Sequence, residues 1–151
     1  MPAIYIDADA CPVKDEVYKV ARRYAMRTFV VANSTMRVPS EALFELVVRA
    51  GFGAADDWIA GAIGPHDICV TSDIPLAARC VAAGAVALDP KGRLFNADTI
   101  GEAVAHRDLL EELRAAGEVG GGPSPMTSKD RSRFLSRLDE AVNAAQRAAQ
   151  A

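Results

Sequence analysis

The sequence predicts a three-layer α/β fold in which a mostly parallel sheet carries helices on both faces. Short apolar runs alternate with longer segments of helical periodicity along most of the 151 residues, and this alternation is typical of parallel sheets. Acidic residues follow several of the apolar runs, at the edge where parallel sheets bind ligands. We expect right-handed connections, which align the carboxyl ends of the strands along that edge.

The first two predicted elements are a strand at 3–7, AIYID, and a helix within 11–25. In the helix, apolar residues recur at i, i+4, i+7, i+8 and i+11 from Val13 onward, which is the spacing of one buried face. Pro12 suits the first position of that helix. Asp9 is the best candidate for an N-cap.

The remaining strands and helices follow the same patterns. The predicted strands are 27–33, 44–50, 67–73 and 85–89, and the predicted helices are 54–63, 74–84 and 98–117. Apolar and β-branched residues dominate the strands. Acids open the first of these helices, at the end that the helix dipole favours, and glycines close the other two.

A glycine- and proline-rich stretch interrupts these patterns near the C-terminus. We divide the chain into an α/β domain at 1–116, a loop at 117–127 and a helix at 128–151 that packs on the same domain. Thr127 or Ser128 can cap this helix.

Composition and charge argue against several classes of protein. A net charge of -3 and a pI near 5.4 are unlike a protein that coats nucleic acid by bulk charge. The sequence has no basic leader and no apolar run of about 18 residues. Three cysteines without a C-x-x-C pair indicate neither a disulfide framework nor a zinc site. We therefore expect a cytoplasmic protein that binds no membrane, and the sequence makes no prediction about its oligomeric state.

Acidic residues from three parts of the chain share the predicted carboxyl edge of the sheet. Asp7 ends the first strand, Asp73 ends the fourth, and Asp56 with Asp57 opens the helix after the third. Any one of these acids alone is most simply an N-cap. Together they would repel one another, and a hard divalent cation relieves such repulsion. Ligand sets made only of oxygen favour Mg²⁺ or Mn²⁺ over zinc.

Two stretches could hold a phosphate group. The N-terminus of the first helix offers free amides beside Asp7, and Lys14 lies in its first turn. Near the C-terminus, a glycine-rich segment precedes Lys129, Arg131 and Arg133, which could clamp a nucleic-acid backbone. The alternatives are a solvated surface lysine at the first place, and a linker followed by a solvated helix face at the second.

Four blocks of the sequence resemble a known family. DADACPVK, ADDWIA, TSDIPLA and GGPSPMTSKDRSRFLSRLD occur in this order within Ile4 to about Asp139, and they resemble the signature blocks of the YaiI/YqxD family of bacterial proteins. More distantly, the layout of the acids is similar to PIN-like nuclease domains, which implies a PIN-like fold. AADDWIAGAI also resembles the EADD helix of the related 5′-nuclease group, with Ala54 in place of the leading Glu.

The resemblance to PIN-like domains implies a metal-dependent nuclease or phosphodiesterase that acts on RNA or a related nucleic acid. It implies catalytic roles for Asp7, Asp56, Asp57 and Asp73. Asp7 and Asp73 would be ligands of Mg²⁺ or Mn²⁺, and Asp57 or its neighbour Asp56 would complete the set. Asp9 would be an auxiliary acid.

Two other functions fit parts of the pattern. DADAC supplies a D-x-D after a strand and VTSD supplies a Thr or Ser at a later strand end, which resembles a phosphatase of the haloacid-dehalogenase type. The paired acids that this type carries late in its sequence are missing, since Asp89 stands alone. The third function is a non-catalytic RNA-binding domain, in which the basic C-terminal segment carries the recognition.

Overall fold

Among residues 1–118 and 124–151, which a computed structural model describes, six strands form one sheet. They are β1 (Ile4–Asp7), β2 (Thr28–Ala32), β3 (Phe44–Val48), β4 (Ile68–Val70), β5 (Val86–Leu88) and β6 (Leu94–Phe95). The order across the sheet is β3-β2-β1-β4-β5-β6. Strands β1 to β5 are parallel and β6 is antiparallel to β5. The predicted, mostly parallel sheet is confirmed.

Helices cover both faces of this sheet. They are α1 (Lys14–Tyr24), α2 (Ala54–Ala62), α3 (Ile74–Ala82), α4 (Ile100–Ala115) and α5 (Ser128–Gln150). Helices α1 and α5 contribute to one apolar core, whereas α2, α3 and α4 contribute to a second core on the opposite face. The predicted three-layer arrangement is therefore confirmed.

Strand β1 lies at the centre of the sheet and is buried on both faces. Ile4 and Ile6 belong to the core beneath α1 and α5, and Tyr5 belongs to the core beneath α2 and α3. Because side chains alternate along a strand, Asp7 leaves the sheet on the same side as Tyr5. The strand therefore directs the Asp7 carboxyl toward the N-termini of α2 and α3.

The start of α1 differs from the sequence prediction. Val13 rather than Asp9 occupies the N-cap position, and the first helical residue is Lys14 rather than Pro12. Val13 is fully buried, and the turn that inserts it into the core delays the helix. The Asp9 carboxylate instead accepts a hydrogen bond from the backbone amide of Asn33, at 2.9 Å. The predictions for Asp9 as a cap and for Pro12 as the first helical residue were wrong.

Two further differences concern the strands. Strand β4 ends at Val70, so Asp73 lies three residues beyond the strand in which the sequence analysis placed it. Strand β6 was not predicted, because a strand of two residues shows no alternation of apolar and polar positions.

Helix α5 packs along α1 through an apolar face. Its side chains Phe134, Leu138 and Val142 are fully buried. The helix begins with a capping box, in which the Asp130 amide donates to the Thr127 hydroxyl at 3.0 Å and the Thr127 amide donates to the Asp130 carboxylate at 3.1 Å. Two backbone amides that a helix leaves unpaired are thereby satisfied.

The predicted glycine- and proline-rich loop at 117–127 is described only in part, since residues 119–123 lie outside the described residues. The division of the chain into 1–116, this loop and 128–151 stays a prediction. Within the described part of the chain, no helix is long and apolar enough to cross a membrane.

Candidate functional site

The Asp7 side chain lies at the carboxyl end of the central strand, in a half-buried position. The Thr71 hydroxyl donates a hydrogen bond to Asp7 Oδ2 at 2.7 Å, and Thr71 is only 2% exposed. The Thr71 oxygen in turn accepts a hydrogen bond from the Asp73 amide at 3.0 Å. Thr71 therefore fixes Asp7 relative to the segment that leads into α3.

The surroundings of Asp7 favour the protonated form of its carboxyl group. Burial raises the pKa of Asp7 from its ordinary 3.8 to about 6, and the carboxylates of Asp56, Asp73 and Asp9 raise it as well, whereas the Thr71 hydrogen bond opposes the shift. Removal from water disfavours an ionised carboxyl group, and nearby like charges add to the effect. An acid with a pKa near 6 can exchange a proton close to neutral pH.

Asp73 caps helix α3 and also lies near a second acid at this edge of the sheet. It is the N-cap of α3, because its Oδ1 accepts a hydrogen bond from the Leu76 amide at 3.0 Å. Asp73 also lines a cleft together with Asp56. Burial raises the pKa of Asp56, and the charge of Asp73 raises it further. Asp73 is thus the N-cap that an isolated aspartate before a helix predicts, and it also has Asp56 as an acidic neighbour.

The structure separates the two neighbouring acids at the start of α2. Asp56 is half-buried and faces Asp73. The side chain of Asp57 is 70% exposed and its Oδ1 accepts a hydrogen bond from Arg79 at 2.8 Å. The sequence left open which of the two completes the acid set. In the structure Asp56 is the one that lines a cleft with Asp73.

Three acids from separate elements thus share the carboxyl edge of the sheet. We call Asp7, Asp56 and Asp73 the acid cluster. Among residues 1–118 and 124–151, no three His, Cys, Asp or Glu side chains lie close enough together to hold a metal ion. The acid cluster is therefore coupled electrostatically without enclosing one common point.

Of the other predicted site residues near Asp7, Asp9 and Lys14 contact the backbone. Asp9 is exposed and binds the amide of Asn33, as described above. The Lys14 ammonium donates to the carbonyl oxygens of Ala8 and Cys11, at 3.3 and 3.1 Å. Lys14 therefore stabilises the loop between β1 and α1.

The basic residues of α5 lie in different surroundings. Arg131 donates to the Pro12 carbonyl at 2.7 Å and to Glu16 at 3.1 Å, and so connects α5 to the start of α1. Arg133 pairs with Asp130 at 3.5 Å. Lys129 is exposed. The glycines of the predicted clamp include residues outside the described part of the chain.

Comparison with known proteins identifies the family. A family model described as "Uncharacterized BCR, YaiI/YqxD family" matches residues 5–144. The chain belongs to the YaiI/YqxD family. This confirms the resemblance that the four sequence blocks indicated.

Among the relatives of this YaiI/YqxD protein is a UPF0178 protein of Gluconacetobacter diazotrophicus, which is 54% identical over 153 residues and is matched over 100% of this chain and 99% of its own. A UPF0178 protein of Caulobacter sp. is 56% identical over 148 residues, covering 97% of this chain and 98% of its own. No solved structure matches the chain.

Two arginines of this YaiI/YqxD protein that were not predicted from the sequence lie next to the acid cluster. Arg79, on α3, and Arg107, on α4, line a cleft together with Asp56 and Asp73. The cleft exists only because α3 packs against α4, and Arg107 lies 28 residues after Arg79 in the chain. The spacing of the two arginines in the sequence carries no signal that they face the same cleft.

Proposed function

We propose that this protein is a metal-dependent nuclease or phosphodiesterase of the PIN-like type that acts on RNA or a related nucleic acid. The observation that carries the proposal is the burial of the Asp7 carboxyl, beside Asp56 and Asp73, at the carboxyl edge of a parallel sheet. Such an edge is the usual ligand site of this architecture.

The chemistry of the acid cluster fits Mg²⁺ or Mn²⁺. All three members supply carboxylate oxygens, which hard divalent cations prefer. Burial raises the pKa of Asp7 and of Asp56, and repulsion between the acids raises both further. A bound cation would relieve this repulsion. Because the three groups do not enclose a common point, binding would have to draw them together.

Each member of the acid cluster has a definite role in this proposal. Asp7, Asp56 and Asp73 would hold the ion, and Thr71 would orient Asp7 through its 2.7 Å hydrogen bond. When bound, such an ion polarises a phosphoryl oxygen and lowers the pKa of water. Asp9 supports the site from outside the cluster, by anchoring the end of β2 through Asn33.

Isothermal titration calorimetry with Mn²⁺ tests the metal site directly. We expect wild-type protein to bind Mn²⁺ and Asp7→Asn and Asp56→Asn to weaken binding by about tenfold or more, because each removes a ligand charge. Asp57→Asn is the matched control, since it removes the neighbouring acid that contacts Arg79. Equal affinity in wild type and Asp7→Asn would show that the acid cluster is not the metal site.

Cleavage of a fluorescently labelled single-stranded RNA in Mn²⁺ tests the reaction itself. We expect cleavage by wild type and its loss in Asp7→Asn. A phosphatase of the haloacid-dehalogenase type would instead hydrolyse p-nitrophenyl phosphate and leave the RNA intact.

One observation favours a second candidate, a non-catalytic RNA-binding domain. The acid cluster does not enclose a common point among the described residues, which suits a protein that binds RNA without a metal. RNA binding that is equal in wild type and Asp7→Asn, with no cleavage by either, would support this candidate.

The proposal includes a cytoplasmic location. All three cysteines, Cys11, Cys69 and Cys80, are free, and free cysteines are usual in a reducing compartment.

A further inference from the structure

A cleft of about 330 Å³ opens between α3 and α4 beside the acid cluster. Asp56 and Asp73 form one side of it, and the guanidinium groups of Arg79 and Arg107 are the positive groups that line it. Ser72, which is exposed, adds a hydroxyl group next to Asp73. The cleft thus joins the acids of the proposed metal site to two cations.

The two arginines come from different helices and are only loosely held. The side chain of Arg79 is 49% exposed and pairs with Asp57. The side chain of Arg107 is 36% exposed and pairs with Glu111 at 2.8 Å and with Asp108 at 3.3 Å. Because exposed ion pairs of this kind contribute about 0–1 kcal/mol, a better anion can displace the carboxylates.

The charges in the cleft indicate which kind of anion can displace the carboxylates from the two arginines. A polyanionic strand is repelled by Asp56 and Asp73, so it needs positive charge close to them. Arg79 and Arg107 are the positive groups close to these acids, and they become available to a phosphate once it displaces their exposed carboxylate partners. Guanidinium groups bind phosphate oxygens in a bidentate manner, which makes them better suited to phosphate than to a small apolar ligand.

We propose that the cleft between α3 and α4 binds a backbone phosphate of a single-stranded nucleic acid, next to the phosphodiester that lies at the acid cluster, through Arg79 and Arg107. This inference rests on the proposed function and extends it, because it assigns the strand that leaves the acid cluster to the α3–α4 side of the molecule. Arg79 and Arg107 are then substrate-binding residues.

Fluorescence anisotropy of a labelled single-stranded RNA, measured in EDTA and low salt, tests this proposal independently of metal and cleavage. The double variant Arg79→Gln, Arg107→Gln is expected to bind roughly tenfold more weakly than wild type. Loss of two phosphate contacts is also expected to reduce the slope of log K against log salt by about 1.4, since each contact on a single strand contributes about 0.7.

Two double variants serve as matched controls. Arg22→Gln with Arg27→Gln removes the same charge at the opposite edge of the sheet, where these arginines pair with Glu41 and Glu45. Asp57→Asn with Glu111→Gln breaks the ion pairs of the cleft but keeps its arginines. We expect the first control to bind RNA within about twofold of wild type, and the second to bind at least as tightly. Thermal unfolding confirms that each variant is folded.

The outcomes separate this inference from the proposed function. Selective weakening in the Arg79, Arg107 variant supports the inference whether or not RNA is cleaved. Equal weakening in the Arg22, Arg27 control overturns it, because the binding would then depend on net charge alone. Absence of RNA binding by wild type also overturns it, whereas Mn²⁺-dependent hydrolysis of bis(p-nitrophenyl) phosphate would still support the proposed function.

Discussion

Two aspartates at opposite edges of the same sheet have opposite surroundings. Asp67 lies just before β4, at the amino edge, and both of its oxygens accept hydrogen bonds from backbone amides, those of Ala3 at 2.8 Å and Gly64 at 2.9 Å. Asp7, at the carboxyl edge, accepts a hydrogen bond from the Thr71 hydroxyl and is surrounded by other acids. The residue type is the same at both places.

The cavities at the two edges also differ in the polarity of the residues that line them. At the amino edge, a cavity of about 710 Å³ is lined largely by apolar groups, among them Tyr5, Phe29 and Leu43. At the carboxyl edge, the smaller cleft is lined by two acids and two arginines beside Ser72 and the first residues of α3. The larger cavity is therefore remote from the acid cluster. Neither residue type nor cavity size therefore locates the candidate site, whereas the balance of hydrogen bonds and charges does.

The largest expected effect on stability is at Asp67. Asp67→Ala leaves the amides of Ala3 and Gly64 without their acceptors in a part-buried place, so the free energy of unfolding should fall by about 2–3 kcal/mol. Urea denaturation measures it. Asp67→Asn, which keeps one acceptor oxygen, should lose about half as much. A change below about 0.5 kcal/mol in Asp67→Ala would show that Asp67 does not tie these segments together.

Asp7 is expected to behave in the opposite way. The pKa of Asp7 is raised in the folded protein from 3.8 to about 6, so the folded state binds more protons than the unfolded state between these values. The Asp7 contribution to the free energy of unfolding is therefore greatest below pH 3.8, falls as the pH rises toward 6, and then stays constant.

Asp7→Asn removes this dependence on pH. In EDTA at pH 7.5, the variant should be more stable than wild type by about 1 kcal/mol, a value reduced to allow for the partial exposure of the side chain. The difference should disappear near pH 4, where the wild-type carboxyl group is protonated in the folded state. Urea denaturation at the two pH values provides the measurement. A variant less stable than wild type at pH 7.5 would show that burial and charge repulsion do not destabilise the ionised Asp7 carboxyl group.

The smallest expected effect separates two roles of Asp73, as the N-cap of α3 and as a charged neighbour of Asp56. Asp73→Ala removes the N-cap of α3 and should lower the free energy of unfolding by about 0.5–1 kcal/mol, since relief of repulsion from Asp56 offsets part of the loss. Asp73→Asn keeps a cap of equal quality and should be neutral or slightly stabilising. Thermal denaturation of both variants checks this. Equal losses in the two would show that the charge of Asp73, rather than its cap, stabilises the fold.

Much of the fold was predictable because its signals are local. The apolar periodicity from Val13 onward predicted α1, and the buried apolar runs predicted β1 to β5. The start of α1 was not predictable, since it depends on the burial of Val13. Strand β6 was not predictable because two residues carry no periodicity.

The candidate site was predictable only in outline. Parallel topology predicted that Asp7 and Asp73 would share an edge, and the structure places them there. The choice between Asp56 and Asp57 depended on how α2 packs beside α3, where Arg79 pairs with Asp57. The roles predicted for Lys129, Arg131 and Arg133 in binding nucleic acid stay predictions.

The sequence by itself determined strands β1 to β5, the helices and the edge of the sheet at which the acids collect, because periodicity and strand-end position are properties of neighbouring residues. Tertiary structure decided which carboxyl groups are buried together, which are paired with arginines, and that Arg79 and Arg107 share a cleft. Thr71 and Asp7 are 64 residues apart in the chain, and only the pairing of β1 with β4 brings them into contact. Hydrogen bonding, burial and charge repulsion depend on distances in space, which the order of residues does not specify.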